Sequence, residues 1–284
     1  MANRVANRAA GPAADHAAGA GPGRSGITRR LRVIGRLATL ALAALPLVAL
    51  PLAARADSVL VAVASNFAGP LAALAPLFHR ATGHQLQAAA GATTRLATQI
   101  AAGAPYQVLL AADQATPARL QAEGLALAGS GFTYASGRLV LWSAQPGLVD
   151  SQGEVLARGG FKHLAIANPK LAPYGEAALA VLRARGLDAT LRPRLVLAES
   201  VAQAYQFVLT GNAELGFVAL SQVQLPGQMP AGSLWRVPAA LHPAIHQDAV
   251  LLKPGQGQVA AQALLDFLKS PAAKALIQAY GFGV

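Results

Sequence analysis

Four times in this chain a short apolar run meets a turn of small or hydroxylated residues and passes at once into a helical pattern. The first run is VLVAVA at residues 59–64, followed by Ser65 and Asn66, then Phe67, Leu71, Leu74 and Phe78 on one helical face up to Gly83. The second is residues 86–90, with Gly91, Ala92, Thr93 and Thr94 before a helix carrying Leu96 and Ile100 and stopping at Gly103. The third is LAIA at 164–167, then a loop through Tyr174 and Gly175 into a helix with Ala178 and Leu182. The fourth is LVLA at 195–198, then Glu199, Ser200 and Val201 before a helix carrying Tyr205 and Val208 or Leu209 up to Gly211. Short apolar strands alternating with helices specify an α/β fold with mainly parallel sheets. Further strands are expected at 108–112, 139–142, 215–220 and 249–252. Two last helices are expected around Leu264, Leu265 and Leu268 and around Leu276 and Ile277, the second opened by Pro271.

The four turns share a physical property. Open α/β sheets bind ligands beyond the carboxyl ends of their strands, where helices begin. A helix start offers unpaired N–H groups and the positive end of its dipole, which suit an anion. Ser65, Thr93 and Ser200 also suit helix N-caps, and each taken alone reads first as a cap. Four such starts in two pairs point instead to an anion site between two lobes.

Charge must be located before it is interpreted. The whole chain has 23 Lys and Arg against 12 Asp and Glu, a formal +11. Eight of the arginines, and only one acid (Asp15), lie in residues 1–56. The remainder is near balance, which removes the main support for nucleic-acid binding. Arginines at 29, 30, 32 and 36, an apolar run over 37–54 and Ala54-Arg55-Ala56 have the order of a cleavable secretory signal peptide. A retained membrane anchor is the competing reading, disfavoured by Pro46, Pro51 and the cleavage motif. The mature chain is expected to begin at Asp57. With no cysteine, disulfides, thiol catalysis and cysteine-ligated metal are excluded.

Other chemical motifs are sparse. His242 and His246 are four apart, but Pro243 interrupts the pair and no third ligand accompanies them, so they read as surface histidines. Asp113 reads as the cap of a helix with Pro117 in its first turn. Trp142 and Trp235 read as packing residues. There is no G-x-S-x-G elbow, phosphate loop or H-E-x-x-H.

At the same turns the chain resembles the substrate-binding proteins of bacterial molybdate ABC transporters, from Val59 to Phe282. The likeness rests on Val63-Ala64-Ser65-Asn66-Phe67, Gly91-Ala92-Thr93-Thr94, Gln99-Ile100-Ala101-Ala102-Gly103-Ala104-Pro105 and Ala112-Asp113-Gln114. It continues through Ala172-Pro173-Tyr174-Gly175, Glu199-Ser200-Val201, Gly216-Phe217-Val218-Ala219-Leu220-Ser221 and Tyr280-Gly281-Phe282. The resemblance implies a type II periplasmic binding protein of two lobes joined by two crossover strands, with lobe one at 57–138 and 246–284 and lobe two at 139–245. It implies a periplasmic, non-enzymatic monomer that takes molybdate, and tungstate similarly, to an inner-membrane ABC permease, without cofactor, metal-cation ligands or nucleic acid. The implied oxyanion site uses the hydroxyls of Ser65 and Thr93 and the backbone N–H of Ser65 or Asn66, Thr93, Tyr174 and Val201. Some members carry a further donor, a tyrosine, where this chain has Ala219, and the chain resembles the subgroup that lacks it. The alternatives are a binder of another tetrahedral oxyanion, such as sulfate or phosphate, and a periplasmic hydrolase.

Overall fold

The computed structural model describes residues 57–284. The basic leader, its apolar run and the cleavage motif lie outside the described residues. The first lobe begins with β1 (Ser58–Ala64), a 3-10 turn at Ser65–Phe67, α1 (Ala68–Thr82), β2 (Gln85–Gly91) and α2 (Thr93–Ala101). It continues with β3 (Val108–Leu110), α3 (Ala115–Ala122) and β4 (Phe132–Gly137). The second contains β5 (Leu139–Ser143), α4 (Val155–Arg158), β6 (Leu164–Ala167), α5 (Pro173–Ala184), α6 (Asp188–Leu191), β7 (Leu195–Ala198), α7 (Val201–Leu209), β8 (Leu215–Ala219), α8 (Leu220–Val223) and β9 (Ser233–Arg236). The chain then returns to the first sheet through β10 (Ile245–Leu251) and ends in α9 (Val259–Leu268) and α10 (Pro271–Ala279).

Burial explains the strand pattern. Val61, Ala62, Val63 and Ala64 are all buried because helices cover both faces of the sheet, so β1 is continuously apolar rather than alternating. In α1, Leu71, Leu74 and Phe78 form the buried stripe. Gly83 ends the helix in the left-handed region (φ 76°) and donates its N–H to the His79 carbonyl at 2.8 Å.

The two sheets have equivalent orders, β2-β1-β3-β10-β4 and β7-β6-β8-β5-β9. The first three strands of each pair in parallel, whereas β10 and β5 are antiparallel to both neighbours. Four strands in each sheet thus run one way. The reversed strand is in each case the one that arrives from the other sheet: β5 follows β4 through Gly137 and Arg138, and β10 follows β9.

Several boundaries differ from the sequence pattern. Strand β3 stops at Leu110, leaving Ala111 and Ala112 as a buried connection, and β8 stops at Ala219 because Leu220 opens α8. The sequence pattern does not reveal β4 and β9, whose FTYASG and SLWR segments mix exposed, half-buried and buried positions. Trp142 is buried, stacks on Tyr205 and donates its indole N–H to the Ala231 carbonyl, while buried Trp235 lies under the Arg185 guanidinium.

Candidate functional site

The candidate donors sit at corresponding places in the two sheets. Ser65 and Asn66 follow β1, Thr93 follows β2, Tyr174 lies beyond β6, and Val201 lies beyond β7. One buried cluster joins the lobes here: Ala64, Ala92 and Ala112 pack with Ala172, Tyr174, Val201 and Ala219. Hydrogen bonds cross directly between the lobes. Thr94 N–H donates to the Leu171 carbonyl (3.3 Å), Ser221 Oγ–H to the Asn66 carbonyl (2.8 Å), and Ala202 N–H to Ser65 Oγ (3.4 Å). At the rim, exposed Arg95 and Glu199 form an ion pair at 2.7 Å.

Two clefts adjoin this cluster. One of about 400 Å³ is lined by Ala92, Arg95, Gln99, Glu199 and Ser200, and another of about 210 Å³ by Ala112, Asp113, Pro173, Glu176 and His246. The donors themselves line neither. Asn66, Thr93, Tyr174 and Val201 are 1–3% exposed, so charges meeting them are shielded from water and their hydrogen bonds are strengthened.

The hydroxyls divide into two roles. Ser200 caps α7, its Oγ accepting from Gln203 N–H at 3.3 Å. Ser65 and Thr93 cap nothing, because Ala64 and Ala92 hold the cap positions and each hydroxyl opens the helical turn itself. Thr93 Oγ1 accepts from Ala112 N–H at 3.1 Å and Ser65 Oγ from Ala202 N–H. Each oxygen is thereby held by an acceptor bond, leaving its own hydrogen to donate. The N–H groups of Thr93, Tyr174 and Val201 lie in the first turns of α2, α5 and α7, where a helix supplies no acceptor. Gly175 lets α5 come this close: a Cβ there would lie 2.1 Å from the Ala167 carbonyl oxygen.

The Tyr174 side chain lies apart from both clefts and is buried. Its hydroxyl is buried in a polar network at the crossovers, within 3.4 Å of both the Asn66 and Gln247 amides. Asn66 and Gln247 are 3.1 Å apart, and Tyr134 reaches Gln247 at 3.0 Å and the Ala111 carbonyl at 3.2 Å. Burial pushes both tyrosine hydroxyls well above their ordinary pKa, so both stay neutral.

One atom of this network is unsatisfied. With Asn66 Nδ2 directed at Tyr174 and Gln247, Asn66 Oδ1 is buried without a partner, and the Tyr174 hydroxyl accepts two bonds without an acceptor for its own hydrogen. Exchanging oxygen and nitrogen in both amides gives the Tyr174 hydroxyl an acceptor and turns the unpartnered Asn66 atom from an oxygen into an NH₂, with the heavy-atom shape unchanged. Gln247 then donates to Asn66 and Tyr134, Tyr134 donates to the Ala111 carbonyl, and Tyr174 donates to an amide oxygen. What remains is an Asn66 NH₂ group with no protein acceptor.

Sequence reasoning gave no role to Gln247, Tyr134 or Ser221. Gln247 had a signal: it occupies the inward position between Ile245 and Ala249 in the alternation of β10, with His246 and Asp248 on the other face, and it is fully buried. Asp113 does brace α3, accepting from Thr116 N–H at 2.7 Å. His242 and His246 have separate partners, the Pro243 carbonyl and Ser136 Oγ. Among the described residues no group of three or more His, Asp or Glu is placed to hold a metal ion, and no helix is long and apolar enough to cross a membrane.

Comparison with known proteins agrees with this architecture. A molybdate-binding protein ModA of Azotobacter vinelandii is 54% identical over 232 residues, covering 82% of this chain and 92% of that one. A second ModA, from Rhodobacter capsulatus, is 49% identical over 229 residues, covering 81% and 89%. The solved periplasmic molybdate-binding protein of Azotobacter vinelandii superposes with a TM-score of 0.78 at 44% identity, covering 80% of this chain and 99% of that chain. A sulfate-binding protein of Mycobacterium tuberculosis shares the fold at 16% identity and a TM-score of 0.62, covering 80% and 86%. The family model for bacterial extracellular solute-binding proteins matches residues 59–283, and this chain belongs to that family.

Proposed function

We propose that the protein is the periplasmic molybdate receptor of an ABC importer, that it also takes tungstate, and that it delivers its ligand as a monomer to an inner-membrane permease. The observation that supports the reading is that Ser65, Thr93, Tyr174 and Val201 stand at helix starts of both sheets, beside one buried cluster shared by the two lobes. Relatives named for molybdate at 54% and 49% identity support the choice of anion. Residues 1–56 act as leader and signal peptide, and the mature chain begins at Asp57. Residues 57–138 with 246–284 move as one lobe and 139–245 as the other.

The chemistry is capture and release. A tetrahedral dianion sheds its water against Ser65 and Thr93 hydroxyls and the backbone N–H of Ser65 or Asn66, Thr93, Tyr174 and Val201. The Asn66 side-chain NH₂ supplies the donor that Ala219 cannot. Charge-assisted hydrogen bonds offset the cost of burying the charge. Because the donors are neutral and split between lobes, opening dismantles the site and frees the ion. Bridging contacts favour the closed arrangement only when the ion is present.

Ser65→Ala and Thr93→Ala test the donor set. Each should weaken molybdate binding by about 1.5–3 kcal/mol, the usual worth of a hydrogen bond to a charged group. Calorimetric affinities equal to wild type in both variants would contradict these assignments.

A further inference from the structure

A cavity of about 480 Å³ lies against the two crossover segments, apart from the candidate donors. Its accessible apolar wall is Val237, Pro238 and Ala239, over the buried Leu139 and Leu220, and its cationic lining is Arg138 and Arg236, with His242 beside them and no carboxylate. Among the described residues neither arginine has a carboxylate partner, as is also true of Arg80, Arg183 and Arg194, whereas Arg95, Arg119, Arg158, Arg185 and Arg192 are paired; Arg138 and Arg236 are the two unpaired arginines that line one cavity. Arg236 donates one Nη2 hydrogen bond to Gln224 at 2.8 Å. His242 Nδ1 lies 2.7 Å from the Pro243 carbonyl, so Nδ1–H donates there and Nε2 is left for another partner.

We infer that this cavity is a second binding site, for a small organic anion: a carboxylate carried on an apolar or aromatic body. The two uncompensated guanidiniums recognise carboxylate oxygens, and their planar forks suit two-point hydrogen bonding. The aliphatic wall accepts the body of the molecule, and the volume falls in the range of small-molecule sites. A compact inorganic oxyanion has no apolar surface to place against that wall.

The position ties this site to lobe movement. Gly137 lines the cavity, and a Cβ on it would lie 2.2 Å from the Tyr174 hydroxyl and 2.7 Å from Gln247 Nε2. Residue 137 therefore touches the cavity and the buried network at once. Arg138 belongs to the first crossover, and Arg236 and His242 border the second. An occupant contacts both hinges, so its affinity differs between open and closed forms. By linkage it then alters affinity at the cleft between the lobes.

Phthalate is a suitable probe, having two carboxylates on one ring, and its neutral diamide is the control. Saturation-transfer NMR and calorimetry on the purified protein at low ionic strength should show phthalate binding and no binding of the diamide. The double variant Arg138→Ala/Arg236→Ala should weaken phthalate by about tenfold or more. Its melting temperature and its molybdate affinity without phthalate should match wild type. Saturating molybdate should change phthalate affinity. Equal binding of the diamide, phthalate binding unaffected by the double variant, or no binding at millimolar phthalate would overturn the site. Phthalate affinity identical with and without molybdate would overturn the link to closure.

Discussion

Asn66→Ala separates the two orientations of the buried amide. If NH₂ faces the oxyanion, the substitution removes one charge-assisted hydrogen bond in a site that is 2% exposed at this residue. Such a bond contributes about 1.5–3 kcal/mol, so the dissociation constant for molybdate should rise by roughly 10- to 150-fold. Asn66→Asp keeps the shape while putting a carboxylate oxygen where the NH₂ stood. It should bind more weakly still, because a second negative charge then faces a dianion in a low-dielectric setting. If the amide oxygen faced the ligand position, truncation would remove a repulsive acceptor, and affinity would hold or improve. Both orientations predict some loss of stability without ligand, because Tyr174 and Gln247 lose a partner at 3.4 and 3.1 Å. Stability is therefore the wrong readout. Calorimetric affinity decides, together with the Asn66 side-chain ¹⁵N–¹H₂ signal, which should shift on molybdate addition. Unchanged affinity in Asn66→Ala, together with a wild-type Asn66 amide signal that stays put on molybdate addition, would rule out an NH₂ directed at the ion.

Two further changes probe the scaffold. Gly137→Ala pushes a methyl group into the Tyr174–Gln247 network, where the contacts would be 2.2 and 2.7 Å; it should cost about 1–3 kcal/mol of stability and weaken molybdate binding, and a wild-type melting curve would contradict the close packing at the crossover. Asp150 is raised by burial, but backbone N–H bonds from Glu154, Gln152 and Val155 outweigh this and bring its pKa down to about 2. A carboxylate held below its ordinary value contributes stability that is complete above the usual range near 3.8 and disappears as pH falls toward about 2. The stability gap between wild type and Asp150→Asn, measured by denaturant melts, should therefore shrink across that window, and a constant gap would contradict the assignment.

The sequence was most legible where burial is two-sided or periodic. β1 and β6 are short apolar runs, and α1 carries its stripe at Leu71, Leu74 and Phe78, so period and composition agree. β4 and β9 escaped notice because their pairing comes from distant partners: β4 joins β10, and β9 joins β5. Their own residues have no local pattern to announce this. The same limit applies to the hydroxyl residues. Ser65, Thr93 and Ser200 look alike as helix starters, yet only Ser200 caps, because Ala64 and Ala92 take the extended cap position one residue earlier. That one-residue difference is set by where β1 and β2 stop pairing, at Ala64 and Gly91. Tyr174 was legible as a helix-start N–H, but its hydroxyl's partners come from residues 108 and 73 positions away in sequence, beyond any local signal.

Competition calorimetry on the purified protein decides whether a ring of neutral donors from two lobes captures molybdate selectively, as proposed above. Molybdate, tungstate and sulfate are all tetrahedral dianions near neutral pH, so charge cannot separate them. Molybdate and tungstate are nearly equal in size, whereas sulfate is smaller, and a ring that closes on the larger ions leaves long bonds around sulfate. Two poorly made charge-assisted bonds forfeit about 3 kcal/mol, on the order of a hundredfold in affinity. The account predicts one site per chain, comparable molybdate and tungstate affinities, and sulfate weaker by at least that factor. Sulfate binding within a few-fold of molybdate would contradict the molybdate assignment, and absence of heat with all three ions would contradict the oxyanion site itself.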